Sequence, residues 1–269
     1  MMTTTVAPEL HRAADTLGRI VDLSVPIQAS VSEATPVSVD VLDHAAGAAV
    51  LTQGRLTAAD FPGGMAISNE TVQLTTHTGT HMDAPLHYGP ETLGRPARSI
   101  DEIPLEWCHA PGVRLDVRDV PVGKGITVAH LERALQRADH VLQDGEIVLL
   151  WTGASRLWGT QAYRTDFPGL TGAGTRWLVE QGVRVIGIDA WGMDRPTAVM
   201  VEDYENTGDQ AYLWPAHMAG RTHEYVQLEK LNHLDQLPDA TGFVVSCFPI
   251  PVMGAGAGWT RVVAHLPSP

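Results

Sequence analysis

The sequence predicts an α/β fold, and three observations carry that prediction. Strand-like and helix-like patterns alternate between residues 112 and 189, as they do where helices cover a largely parallel sheet. Glu146 to Trp151 and Val183 to Asp189 are apolar runs of the kind shown by strands buried on both faces. Thr127 stands as an N-cap before the helical spacing of Val128, Leu131, Ala134 and Leu135.

The elements follow in order. Residues 1–18 are polar and alanine-rich, with Leu10, Ala13, Ala14 and Leu17 at helical spacing, and are read as an N-terminal extension to a large domain spanning 19–269. Arg19 to Pro26 reads as a first strand, stopped by the proline that cannot donate to a ladder. From Gln28 to Gly64 small residues keep periodicity weak, so loops and short strands draping the body are expected, with His44 among them. Thr71 to His77 alternates and is β-branched, which predicts a strand running into a turn at Gly79. Ser99 to Pro104 reads as a short capped turn, and the following Leu105 to Cys108 as a cover for the pocket. Gly112 to Val117 is a strand, Gly172 to Gln181 a helix, and Val244 to Phe248 and Trp259 to Leu266 are closing strands. The glycine-rich Met253 to Trp259 between them has no helix after it, so it reads as a pocket rim rather than a nucleotide loop.

Composition narrows the function classes. With 44% hydrophobic and 18% charged residues the 269-residue chain can bury a sizeable core. A formal charge of −13 and the lack of a basic cluster argue against nucleic acid or an anionic membrane surface as partner. Two cysteines, Cys108 and Cys247, are too few for a disulfide framework and read as small buried hydrophobes, which suits a reducing cytoplasm. No stretch approaches eighteen apolar residues, and the start lacks the basic and apolar regions of an export signal.

The chemistry concentrates in Thr75 to Tyr88, where His77, His81, Asp83 and His87 fall within eleven residues. Zinc and manganese take neutral imidazole nitrogens and carboxylate oxygens, and His77, His81 and Asp83 supply both within a span short enough to converge on one ion. His87 is then left for proton transfer. Gly79, the threonines and Pro85 disfavour a helix here, so the ligands are placed on a strand end and its loop.

At these residues the chain resembles the metal-dependent cyclase family, which includes kynurenine formamidase, isatin hydrolase and ring-closing cyclases of aromatic polyketide biosynthesis. The resemblance implies metal ligation by His77, His81 and Asp83 and an acid/base role for His87. A second match, Ala216-His217 followed twelve positions on by Glu229, implies that His217 and Glu229 complete the site, with Asp83 bridging where two ions are present. It further implies a swivelling β/β/α fold with mixed sheets, one or two zinc or manganese ions per subunit, and assembly as a homodimer or homotetramer. Asp189 to Pro196 is similar to the family's Gly-x-Asp segment; Asp189 either orients a ligating histidine or caps backbone amides, and Trp191 lies beside it at the pocket. Arg195 is expected to pair with Asp194 at the surface. His223 and His233 match no metal position.

Such a site serves two ends: hydrolysis, or ring closure through an enolate formed when His87 removes a proton. The chain's length, its Trp107, Trp151, Trp158, Trp191, Trp214 and Trp259 as walls of a flat apolar pocket, and its Pro104–Cys108 and Asp189–Pro196 stretches favour ring closure on an aromatic polyketide. The alternative is an amidohydrolase acting on an aryl formamide or cyclic amide. A scaffold role is disfavoured because every ligand position and His87 are intact.

Overall fold

A computed structural model describes residues 18–268, so the helical spacing of Leu10 to Leu17 lies outside the described residues. The strands are β1 (Ile20–Asp22), β2 (Ser38–Leu42), β3 (Asn69–Gln73), β4 (His81–Asp83), β5 (Glu91–Thr92), β6 (Arg95–Pro96), β7 (His109–Asp116), β8 (Gly125–Ile126), β9 (Ile147–Trp151), β10 (Gly169–Leu170), β11 (Val185–Ile188), β12 (Val226–Glu229), β13 (Phe243–Ser246), β14 (Ala257–Trp259) and β15 (Val263–His265). The helices are α1 (His44–Leu51), α2 (Pro85–Tyr88), α3 (Val128–Arg137), α4 (Gly172–Glu180), α5 (Thr197–Thr207) and α6 (Pro215–Ala219).

Nine strands form one mixed sheet in the order β1-β15-β13-β7-β9-β11-β12-β4-β14. Its middle, β7-β9-β11-β12, is parallel, and helical crossovers join these strands as parallel pairing requires. The α/β class therefore holds. Alternation along the strands divides the interior: Val148 and Leu150 of β9 and Ile186 and Ile188 of β11 face α3 and α4, meeting Leu131, Leu135 and Leu178. Their neighbours Ile147, Leu149 and Val185 face the other way, onto Val21, Leu23, Leu234, Val245 and Val262. Burial on both faces is why these strands read as continuous apolar runs.

Several local expectations need correction. The strand expected over Thr71 to His77 ends at Gln73, because β3 pairs only with β2 in a separate ribbon, and Thr75 to Gly79 closes a turn through Thr78 N donating to Thr75 O. Residues 28–64 hold a helix, α1, capped by the Asp43 carboxylate accepting from Ala45 N and Ala46 N. The Leu105 to Cys108 turn does not cover the pocket; Cys108 and Trp107 pack into the core on the far face. The glycine-rich segment ends in strand β14, which pairs with β4 instead of forming a rim. Both cysteines are buried and unpaired. Among the described residues no helix is long and apolar enough to cross a membrane.

Candidate metal centre

Strand register assembles the site. Strand β4 lies between β12 and β14, antiparallel to both, and pairs His81 with Glu229 and Asp83 with Gln227. Residues two apart share a face, so His81, Asp83, Gln227 and Glu229 form one patch while Met82 and Leu228 turn to the apolar core behind. Three further imidazoles arrive from outside the sheet. His77 comes from the Thr75–Gly79 turn, His87 from α2 just past Pro85, and His217 from α6.

Four donor atoms face one point. His77 Nδ1 is 3.2 Å from His81 Nε2 and 3.0 Å from Asp83 Oδ1, His81 Nε2 is 3.4 Å from the same oxygen, and Glu229 Oε2 is 3.6 Å from His81 Nε2. Donors around a tetrahedral ion with bonds of about 2.0–2.2 Å stand about 3.3–3.6 Å apart, so these separations fit a shared cation. The hydrogen bonds agree. His81 Nδ1 lies 2.9 Å from the Gly79 carbonyl; donating there leaves its Nε2 lone pair directed at the cluster. Asp83 Oδ1 is fully buried with no hydrogen-bond partner, an acceptor that a cation would satisfy.

The electrostatics point the same way. Burial opposes charge on Asp83, yet His81 and His77 hold its carboxyl well below the usual range. Burial and the neighbouring Asp83 charge push Glu229 up. Burial disfavours a charged His77, but the Asp83 carboxylate 3.0 Å away lifts its pKa above the ordinary value. Two buried carboxylates among imidazoles thus draw protons into the cluster, and a divalent cation would displace them.

A family described as "Putative cyclase" matches residues 21–195. The chain belongs to this cyclase family. A kynurenine formamidase of Erythrobacter litoralis (strain HTCC2594) is 28% identical over 197 residues, covering 71% of this chain and 73% of that protein. Among solved structures, isatin hydrolase A from Ralstonia solanacearum superposes with a TM-score of 0.72 at 24% identity over 98% of this chain and all of that one. A structure described as a potential metal-dependent hydrolase with cyclase activity superposes with a TM-score of 0.63 at 21% identity, over 93% and 99% of the two chains.

In this cyclase-family chain the candidate His87 lies at the edge of the cluster: its ligand atom and those of His77 and Asp83 are within 4.8 Å of one another, as are those of His81, Asp83 and Glu229. His87 Nε2 is 4.0 Å from Asp83 Oδ2, its ring is half-exposed, and burial, outweighing the Asp83 charge, lowers its pKa to about 4. It is a neutral imidazole at the pocket wall. His217 and Glu229, the distal pair, do reach the cluster, but His217 Nε2 faces the opposite oxygens, 4.0 Å from Asp83 Oδ2 and 3.9 Å from Glu229 Oε1.

The pocket above the cluster measures about 340 Å³ and has Phe167, Trp191, Met200 and Trp214 among its walls. Only Trp191 and Trp214 of the six tryptophans proposed as walls reach it. Trp151 instead packs under Arg114 and Arg118, Trp158 against Tyr163, Trp107 under Arg98, and Trp259 hydrogen-bonds Thr75 O on another surface. Trp191 is held by its indole N–H donating to Ser32 O.

Of the two readings of Asp189 the capping one holds: its oxygens accept from Thr152 N and Oγ1, Gly153 N and Ser155 Oγ, which closes the loop after β9. Asp194 takes the orienting role, with Oδ2 2.5 Å from His217 Nδ1 and Oδ1 accepting from Ala216 N at the start of α6. Burial disfavours charge on His217, but Asp194, then Glu229 and Asp83, lift its pKa to about 9. Arg195 pairs with Asp203 at 2.7 Å, not with Asp194. Sequence reasoning missed Gln227, Glu33 and Lys230. The Gln-x-Glu spacing of β12 was the available sign, since it puts Gln227 on the face of Glu229.

Proposed function

We propose that this cyclase-family chain is a metal-dependent amidohydrolase that opens a small aryl formamide or cyclic amide. The observation that carries the reading is the pocket itself: four donor atoms suited to one ion, a neutral His87 at their edge, 4.0 Å from Asp83 Oδ2, and aromatic walls enclosing about 340 Å³. That volume lies at the lower end for small-molecule sites and suits one or two fused rings better than an extended polyketide. The similarity to a kynurenine formamidase, and in fold to isatin hydrolases, supports hydrolysis over ring closure. The tryptophans give ring closure little help, since four of the six lie elsewhere.

His77, His81, Asp83 and Glu229 would hold zinc or manganese, both of which accept this imidazole and carboxylate set. Bound there, the ion supplies Lewis acidity toward a carbonyl and makes water acidic enough to deprotonate near neutral pH. The chain's own residues do the rest. His87 Nε2, neutral and at the pocket wall, takes a proton from the attacking water and returns it to the amide nitrogen as the C–N bond breaks, leaving a carboxylate and an amine. Trp191 and Trp214 present flat apolar faces to an aryl ring, and the Asp194 hydrogen bond keeps the His217 ring in place beside them.

The test is a three-substrate comparison after metal loading: an N-formyl arylamine, an isatin-like lactam and a reactive polyketide chain. Release of formate or of a ring-opened carboxylate, abolished by chelator and restored by zinc or manganese, is the expected result. Cyclisation of the polyketide with neither amide cleaved would overturn the reading in favour of ring closure.

A further inference from the structure

We infer that this chain holds one metal ion and not two, because the side-chain amide of Gln227 fills the place that a second ion, bridged to the first by Asp83, would need. The inference rests on the metal-centre reading above and goes beyond it in the number of ions and in the role of Gln227.

The two carboxylates at the centre each look in two directions. Asp83 Oδ1 and Glu229 Oε2 face His77 and His81, whereas Asp83 Oδ2 and Glu229 Oε1 face His217. This second trio of acceptors is a plausible ligand set only if its middle is free. It is not free: Gln227 Nε2 lies 3.0 Å from Asp83 Oδ2, 3.1 Å from Glu229 Oε1 and 2.7 Å from His217 Nε2. An ion bonded to the same three atoms at about 2.0–2.2 Å would collide with that nitrogen.

The orientation of the amide follows from its surroundings. Tyr225 Oη lies 2.9 Å from Gln227 Oε1 and can donate to it. The reversed amide would set its oxygen against two carboxylate oxygens, Asp83 Oδ2 and Glu229 Oε1. With the NH₂ inward, its two hydrogens serve Asp83 Oδ2 and Glu229 Oε1 as a cation would, though with less charge. Glu229 Oε1 also accepts from Met193 N at 2.8 Å. The outcome is an asymmetry: Asp83 Oδ2 and Glu229 Oε1 are both satisfied by protein donors, while Asp83 Oδ1 is buried and unpartnered. Only the His77/His81 side still asks for a cation.

Gln227 cannot swing away at little cost. It is fully buried, sits in β12 directly opposite Asp83, and has both ends of its amide held, by Tyr225 Oη and by Asp83 Oδ2. Gln227 is therefore a positioning residue as well as a space-filling one. By holding Asp83 Oδ2 it turns Oδ1 toward His77 and His81.

The experiment measures Mn²⁺ per chain by elemental analysis, with electron paramagnetic resonance to separate isolated from exchange-coupled Mn²⁺. The parent should bind one Mn²⁺ with an isolated six-line signal. Gln227→Ala, checked for native circular dichroism, should bind a second Mn²⁺ with a coupled signal, and adding His217→Ala should remove that second ion. Gln227→Met keeps the volume without the donors; it should stay at one ion and bind it about 10-fold more weakly, the lower end of what loss of a ligand-orienting contact costs. Two coupled ions in the parent, or a folded Gln227→Ala protein that stays at one, overturns the inference while leaving the metal centre standing. A parent that binds no divalent ion removes the centre itself, and with it this inference. Should Gln227→Ala fail to fold, the parent stoichiometry and the Gln227→Met affinity still decide.

Discussion

Replacing Lys230 by methionine tests how the chain holds the His77 turn against the sheet. Lys230 and Glu33 are 3% and 7% exposed, and Lys230 Nζ stands 2.5 Å from Glu33 Oε2 and 2.8 Å from the His77 carbonyl. The other Glu33 oxygen accepts from Gly79 N at 2.9 Å. One buried ion pair thus ties the 30–35 loop, the His77 turn and the end of β12 together. Lys230 takes a left-handed backbone with φ 59°, a conformation costing a non-glycine residue about 1–2 kcal/mol, and its buried contacts offset that cost. Methionine keeps the stem but leaves a buried carboxylate with a single backbone donor, a loss of about 3–5 kcal/mol. For a chain of this size that lowers the melting temperature by about 6–20 °C, at roughly 2–4 °C per kcal/mol. The assay is thermal and urea unfolding with chelator present, so that metal binding adds nothing to the folded state. Lys230→Met combined with Glu33→Leu should recover most of the loss, because both charges are then gone. A Lys230→Met melting point within a degree or two of the parent, or a double variant as unstable as the sum of the singles, would refute the reasoning.

Two further predictions concern the site. His77→Ala together with His81→Ala deletes two of the four converging donors, and elemental analysis should find the divalent metal gone; equal metal content in variant and parent would remove the assignment. His87→Asn should keep the metal and lose about two to four decades in turnover, the usual contribution of a general acid or base. Because burial lowers the His87 pKa to about 4, its imidazole is neutral and able to accept a proton throughout the neutral range. At matched metal occupancy the acid limb of turnover should therefore fall below pH 5, not near the ordinary histidine value, and parental turnover in His87→Asn would make another group the base.

Local chemistry was legible where a short segment decides its own conformation or function. Thr127 caps α3, the runs at β9 and β11 are buried on both faces, and the Gly79 turn is broken from any helix, all as their neighbours dictate. The turn's exact relation to the sheet was not. The strand expected before His77 has suitable alternation, but its partner is the exposed β2 ribbon, and the strand that carries His81 and Asp83 is only three residues long. Strand propensity measures fit to neighbours that a sequence window does not contain. The same gap explains Asp189 and Asp194, two carboxylates at the end of one strand. Which of them meets His217 depends on where α6 docks.

By itself, then, the sequence determined the class of the fold, the ligand types and the clustering of His77, His81, Asp83 and His87, because these depend on composition and spacing within a dozen residues. Tertiary structure decided which oxygen of each carboxylate faces which imidazole. That choice follows from the pairing of β4 with β12, which brings Gln227 against Asp83 across 144 residues of chain and turns both side chains to one face. A slip of one residue in that pairing would send Asp83 and Gln227 to opposite faces, and no local pattern in three- and four-residue strands is long enough to exclude the slip. The register is held instead by burial of Met82 and Leu228 on the far side, so the packing of the core selects the arrangement of the candidate metal-binding atoms.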